Sequence, residues 1–125
     1  MSLNRITIMG RMTKDAELRR TTAGKAVTSF TLAVDRDFEK DKTDFIDCVA
    51  WGNTAEFVAK YFGKGRMAIV SGRLQIRDWT DSNGNKRRNA EIIADSVYFG
   101  DSKTTANNTE QRFVEVEEDE SDLPF

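Results

Sequence analysis

Histidine is absent from the 125-residue chain, and cysteine and proline occur once each, as Cys48 and Pro124. Lacking histidine removes the commonest general base, the commonest zinc ligand and every Ser/His or Cys/His dyad. No constellation of Asp and Glu stands out to replace them. The chain is therefore expected to be no enzyme, with no metal and no cofactor. Asp35, Asp37 and Asp41 lack the glycine and spacing of a calcium loop and read as a solvated charge cluster. A single thiol excludes an intrachain disulfide and fits a reducing cytoplasm. No stretch approaches the ~18 apolar residues needed to span a bilayer, and the start has no apolar signal-peptide centre. No membrane partner is expected.

What is present is a division of charge. Residues 1–100 hold 17 basic and 13 acidic side chains, a net of +4, whereas residues 101–125 hold 2 and 8, a net of −6. The overall −2 conceals two opposed parts. Such a split suits a body that handles something anionic and a tail that another protein holds. The tail runs through Glu117-Glu118-Asp119-Glu120-Ser121 into Asp122-Leu123-Pro124-Phe125. Its Ser, Thr, Asn, Gln and acidic residues offer little to bury, so 101–125 is expected to be disordered, ending in a partner-binding tip.

The body alternates. Leu3–Gly10, Ala26–Val34 and Thr43–Trp51 read as strands, and on the third Phe45, Asp47, Val49 and Trp51 share one face against Ile46, Cys48 and Ala50. Asn53–Phe62 is the one helix, with Asn53 as its cap, Glu56 completing a capping box, and Ala55, Val58, Ala59 and Phe62 forming an apolar stripe. Met67–Trp79 is a long strand interrupted at Gly72, Asn83-Gly84 is a hairpin turn, and Arg88–Phe99 is the last strand. Five strands with a short helix between the third and fourth is the order of the OB-fold, a mostly β Greek-key barrel, here assigned to residues 1–100.

Exposed aromatics interleaved with cations suit unpaired nucleic acid, because rings stack on bases while cations follow the phosphates. Phe38, Phe45, Trp51 and Trp79 stand beside charge, amid Arg5, Arg11, Lys14, Arg19, Arg20, Arg73, Arg77, Lys86, Arg87 and Arg88. Phe30, Phe57, Tyr61, Phe62 and Phe99 fit a core instead. Trp51, taken alone, is as consistent with an inward ring as with an outward one. The helix has no basic face with which to read a duplex groove.

Several runs together resemble bacterial single-stranded DNA-binding protein: Asn4–Asp15 with Glu17-Leu18-Arg19, Phe30–Val34, Asp47–Gly52, Ala59–Gly65, Gly72-Arg73-Leu74, Trp79 and the terminal Asp-Leu-Pro-Phe. The resemblance implies an OB domain that binds single-stranded DNA without sequence preference in DNA replication, DNA repair and DNA recombination. It implies stacking by Phe38, Phe45, Trp51 and Trp79, and phosphate contacts by Arg5, Arg19, Lys64, Arg73 and Arg77. It also implies a homotetramer, a cytoplasmic, nucleoid-associated location, and a tip (Asp122, Leu123, Pro124, Phe125) that recruits replication, repair and recombination proteins. The sequence departs from the family pattern at Asp78, beside Trp79, where a basic residue is common. A protein adaptor and an RNA chaperone are the competing readings.

Overall fold

A computed structural model describes residues 2–101; the acidic run and its tip lie outside the described residues. The strands are β1 (Ile6–Met12), β2 (Arg19–Arg20), β3 (Ala26–Asp35), β4 (Thr43–Trp51), β5 (Met67–Thr80) and β6 (Lys86–Phe99), with α1 (Gly52–Tyr61) between β4 and β5. The sheet order is β1-β5-β6-β4-β3-β2, and a further β1–β3 pairing closes five strands into a ring. β4 and β6 run parallel. This is the OB-fold, with β2 as a two-residue addition to the edge of β3. Among the described residues no helix is long and apolar enough to cross a membrane.

Closure explains why β1 continues past Gly10, where the sequence pattern places its end. Its residues pair with β5 from Ile6 to Arg11, and Arg11 and Met12 also pair with β3. At Gly10 an added Cβ would stand 2.7 Å from the Ala33 carbonyl oxygen, so only glycine lets one strand bend between two neighbours. Gly72 marks the other bend. The register slips between Ser71 and Gly72, the unmatched residue being Asp95 of β6, and a Cβ at Gly72 would lie 2.0 Å from the Ile93 carbonyl oxygen.

The inward residues form one core: Phe30, Leu32, Cys48, Ala50, Val70 and Ile92, covered at one end by Ala55 and Val58 of α1 and by Phe62. Removing these side chains from water is the main favourable contribution to the fold. The expected capping box does not form. Gly52, at φ +63°, turns the chain directly out of β4 into α1, so Trp51 is the cap residue and makes no side-chain cap bond. Asn53 is already inside the helix, beyond the position a cap requires.

β2 escapes the sequence pattern because two charged, exposed residues carry no periodicity. The hairpin turn is also longer than Asn83-Gly84 alone. Residues 81–85 form it, and the Asp81 carboxylate accepts the backbone N–H groups of Asn83 and Asn85. Those bonds, the one from Asn85 foremost, hold the Asp81 carboxyl below its usual range.

Candidate nucleic-acid interface

Residues directly opposite on paired strands share a face, so register alone assembles the site. Thr31, Asp47, Glu91 and Gln75 form one row across β3, β4, β6 and β5; Ser29, Val49, Ile93 and Arg73 form the next. By two-residue alternation Phe45 and Trp51 stand on this outward face of β4, and Arg77 and Trp79 on that of β5. Arg19, opposite Val27, joins beside Trp51 and donates to the Ser29 hydroxyl at 3.4 Å. Sequence alone leaves Trp51 open; its exposure in the folded chain places the ring outward.

All four expected stacking rings are exposed: Phe38 96%, Phe45 67%, Trp51 42% and Trp79 42%. Phe38 lies in the loop between β3 and β4, outside the strand rows. Arg36 fixes that loop's base, with Nη2 donating to Asp44 at 2.9 Å and Nη1 to Glu39 at 2.6 Å. Hydrogen bonding from Arg36 lowers the Asp44 carboxyl below its ordinary value, and the same bonds raise the guanidinium well above its own. Trp79 lies near the end of the hairpin, lining a depression of about 530 Å³ with Asp78, Thr80, Lys86, Arg87 and Arg88. Asp78, beside Trp79, is answered across the strands by Arg88, whose Nε donates to it at 3.0 Å.

The expected cations divide. Arg73 and Arg77 lie on the strand face, and Arg73 Nη1 donates to Gln75 at 2.8 Å. Arg5 sits beside the bulge, bonding Asp95 at 2.6 Å and Ser71 at 3.0 Å. Lys64 lies outside the strand rows. It occupies the loop between α1 and β5, and its backbone N–H donates to Asp15 at 2.7 Å. Lys14, next to Asp15, reaches the face instead, lining a second depression of about 200 Å³ with Ser29, Thr31, Asp47, Arg77 and Glu91. Glu91 does not stand out in the sequence. Counting alternate residues back from Ile93 along β6 would find it.

This geometry offers stacking platforms and guanidinium groups along one open face. The Cys48 thiol, on the opposite side of β4, is buried in the core, and burial raises it to about 12.

Comparison with known proteins agrees. The family described as "Single-strand binding protein family" matches residues 3–100. The single-stranded DNA-binding protein of Fusobacterium nucleatum is 46% identical over 114 residues, covering 86% of this chain and 73% of that protein. Single-stranded DNA-binding protein 3 of Listeria innocua is 44% identical over 118 residues, covering 86% and 74%. The single-stranded DNA-binding protein of Clostridium tetani is 42% identical over 121 residues, covering 94% and 83%. With its barrel, its strand face and this extent of identity in agreement, the chain belongs to the single-strand binding protein family.

Proposed function

We propose that this chain binds single-stranded DNA with little regard to sequence and shields it during replication, repair and recombination. One observation carries the reading: cross-strand register sets Phe45, Trp51, Arg73, Arg77 and Trp79 on one outward face. Unpaired bases stack on the rings and phosphates follow the arginines, while Phe38 adds a further ring from its loop. Arg5 and Arg19 extend the cationic margin at opposite edges of the face. The role is that of a binding protein and not of a catalyst, since DNA needs only to be held.

Four copies assembled as a homotetramer would link their faces, and each bound segment would raise the effective concentration of the next. The acidic segment 101–125 then serves as a tether. Its Asp122-Leu123-Pro124-Phe125 run combines acidic and apolar groups suited to a basic, apolar pocket on a replication, repair or recombination protein.

The test is a tryptophan-fluorescence titration with oligo-dT, a duplex of equal length and the matching RNA, at two salt concentrations. Strong quenching by oligo-dT and weak response to duplex are expected. Equal response to duplex, or none to oligo-dT, overturns the reading; tighter binding of RNA transfers it to an RNA chaperone.

A further inference from the structure

The loop between β3 and β4 presents a phenylalanine that packing does not hold. Phe38 is 96% exposed, so contacts with the rest of the fold contribute almost nothing to where its ring stands. β3 and β4 stay paired as far as Asp35 and Thr43, and the Thr43 hydroxyl donates to Asp35 at 3.1 Å. Beyond them the backbone closes with two bonds. The Arg36 N–H donates to the Lys42 carbonyl at 3.3 Å, and the Lys42 N–H to the Glu39 carbonyl at 3.0 Å. The side chain that spans the loop is Arg36. Its Nε and Nη2 fork onto the Asp44 carboxylate at 3.1 and 2.9 Å, and its Nη1 donates to Glu39 at 2.6 Å. Asp44 belongs to β4, and Glu39 is the chain neighbour of Phe38. One guanidinium thus ties the residue next to the ring to the barrel.

An arginine near a stacking ring is ordinarily assigned to a phosphate. Two observations oppose that here. All three of its nitrogens already donate to carboxylates. The segment from Asp35 to Asp44 also holds five acids and three bases, a net of −2, so its own field repels a phosphate. A lone exposed ion pair adds little to stability. A forked contact that also reaches a second acid fixes geometry, and a loop ordered beforehand need not be ordered on binding.

Resting on the single-strand reading, we propose that Arg36 is a positioning residue. Through Asp44 and Glu39 it holds the loop so that Phe38 is presented to a base, and it makes no phosphate contact of its own.

The experiment is a double-mutant cycle on the full-length protein, titrated with oligo-dT at several salt concentrations. Arg36→Lys keeps the charge but, as a point charge, cannot fork onto two acids. Asp44→Asn removes an acid and frees the guanidinium. Each is made with Phe38 in place and with Phe38→Ala. F38A alone should weaken binding about five-fold or more. With Phe38 in place, R36K and D44N should each weaken binding about three-fold. In the F38A background neither should weaken it further. R36K should leave the salt slope and the melting temperature near those of the parent.

A phosphate contact gives the opposite pattern. Lysine then serves nearly as well as arginine, D44N tightens binding by releasing Arg36, and each change is the same in both backgrounds. That pattern overturns the proposal, and so does F38A without loss of affinity. Should R36K prove unfolded by circular dichroism, D44N decides by the same comparison of backgrounds. Wild-type protein that fails to bind oligo-dT would defeat the single-strand reading itself, a result distinct from these.

Discussion

The chain carries two sets of aromatic rings that differ in what satisfies them. At the helix end, Phe62 and Phe99 stack with centroids 4.7 Å apart, and Phe57 meets each of them edge-on at 5.6 and 5.7 Å. Tyr61 packs against Phe57 and Phe99, and the Arg66 guanidinium lies 4.6 Å over Phe99. Phe45, Trp51 and Trp79 on the strand face and Phe38 in the β3–β4 loop form no ring pair among the described residues. Residue type does not separate the sets, since phenylalanine is in both. Strand parity and helix periodicity do. Rings paired with one another have their partners within the fold; the exposed rings that form no such pair are the ones proposed to meet bases.

That contrast breaks most visibly at Phe62, which is 1% exposed. Phe62→Ala should cost about 3–5 kcal/mol of stability in denaturant unfolding, leaving the DNA affinity of the folded fraction unchanged. Trp51→Ala and Trp79→Ala should do the opposite. Each should weaken oligo-dT binding by about 1–3 kcal/mol, the range that base stacking on aromatic side chains gives across single-strand-binding proteins as a class. Thermal unfolding should stay near that of the parent. A large fall in melting temperature with affinity intact would move that tryptophan into the inner set.

How much of this is visible in the sequence follows the same division. Wherever alternation is regular the pattern matches the structure: the outward set Phe45, Asp47, Val49 and Trp51 is complete, and the irregularity at Gly72 is located. The failures have local causes. Gly52 adopts a positive φ that replaces a side-chain cap with a backbone turn, which composition around Asn53 does not reveal. β2 exists because β3 offers it an edge, and its two arginines carry no pattern of their own. Glu91 enters the site through a parallel pairing with Asp47, 44 positions earlier in the chain. Such a contact depends on barrel closure, which periodicity cannot supply. Nor does periodicity show that Lys64, well placed in a motif, occupies the loop between α1 and β5, or that Lys14 borders the depression beside Asp47 and Glu91.

Cys48 tests the inner surface of the strand whose outer surface carries Phe45 and Trp51. Its thiol, with an ordinary value of 9.0, is pushed up to about 12 by burial first and by the Asp47 charge second. An acid whose folded value is raised stays neutral in both states below its unfolded value, and its contribution is then intact. As pH climbs from about 9 toward 12, the unfolded chain releases the proton first and stability falls, by at most about 1.4 kcal/mol per pH unit. Cys48→Ala should lose this part of the alkaline decline in urea unfolding. Equal slopes in both proteins would mean the thiol is wetter than its position implies.

The smallest expected effect concerns cations, and it sharpens the boundary of the outer set. Arg77 stands on the strand face beside Glu91, whereas Lys64 lies in the loop after α1, tied to Asp15 through its backbone. Each phosphate neutralised on a single strand contributes about 0.7 to the slope of log affinity against log salt. Arg77→Gln should therefore flatten that slope by up to about 0.7, less whatever share of its charge Glu91 already compensates. With an oligomer short enough to cover one face, Lys64→Gln should leave the slope unchanged. An equal flattening by Lys64→Gln would mean that the strand continues around the helix end of the barrel. The DNA path would then be set by the surface of the assembled protein and not by the four-strand face alone.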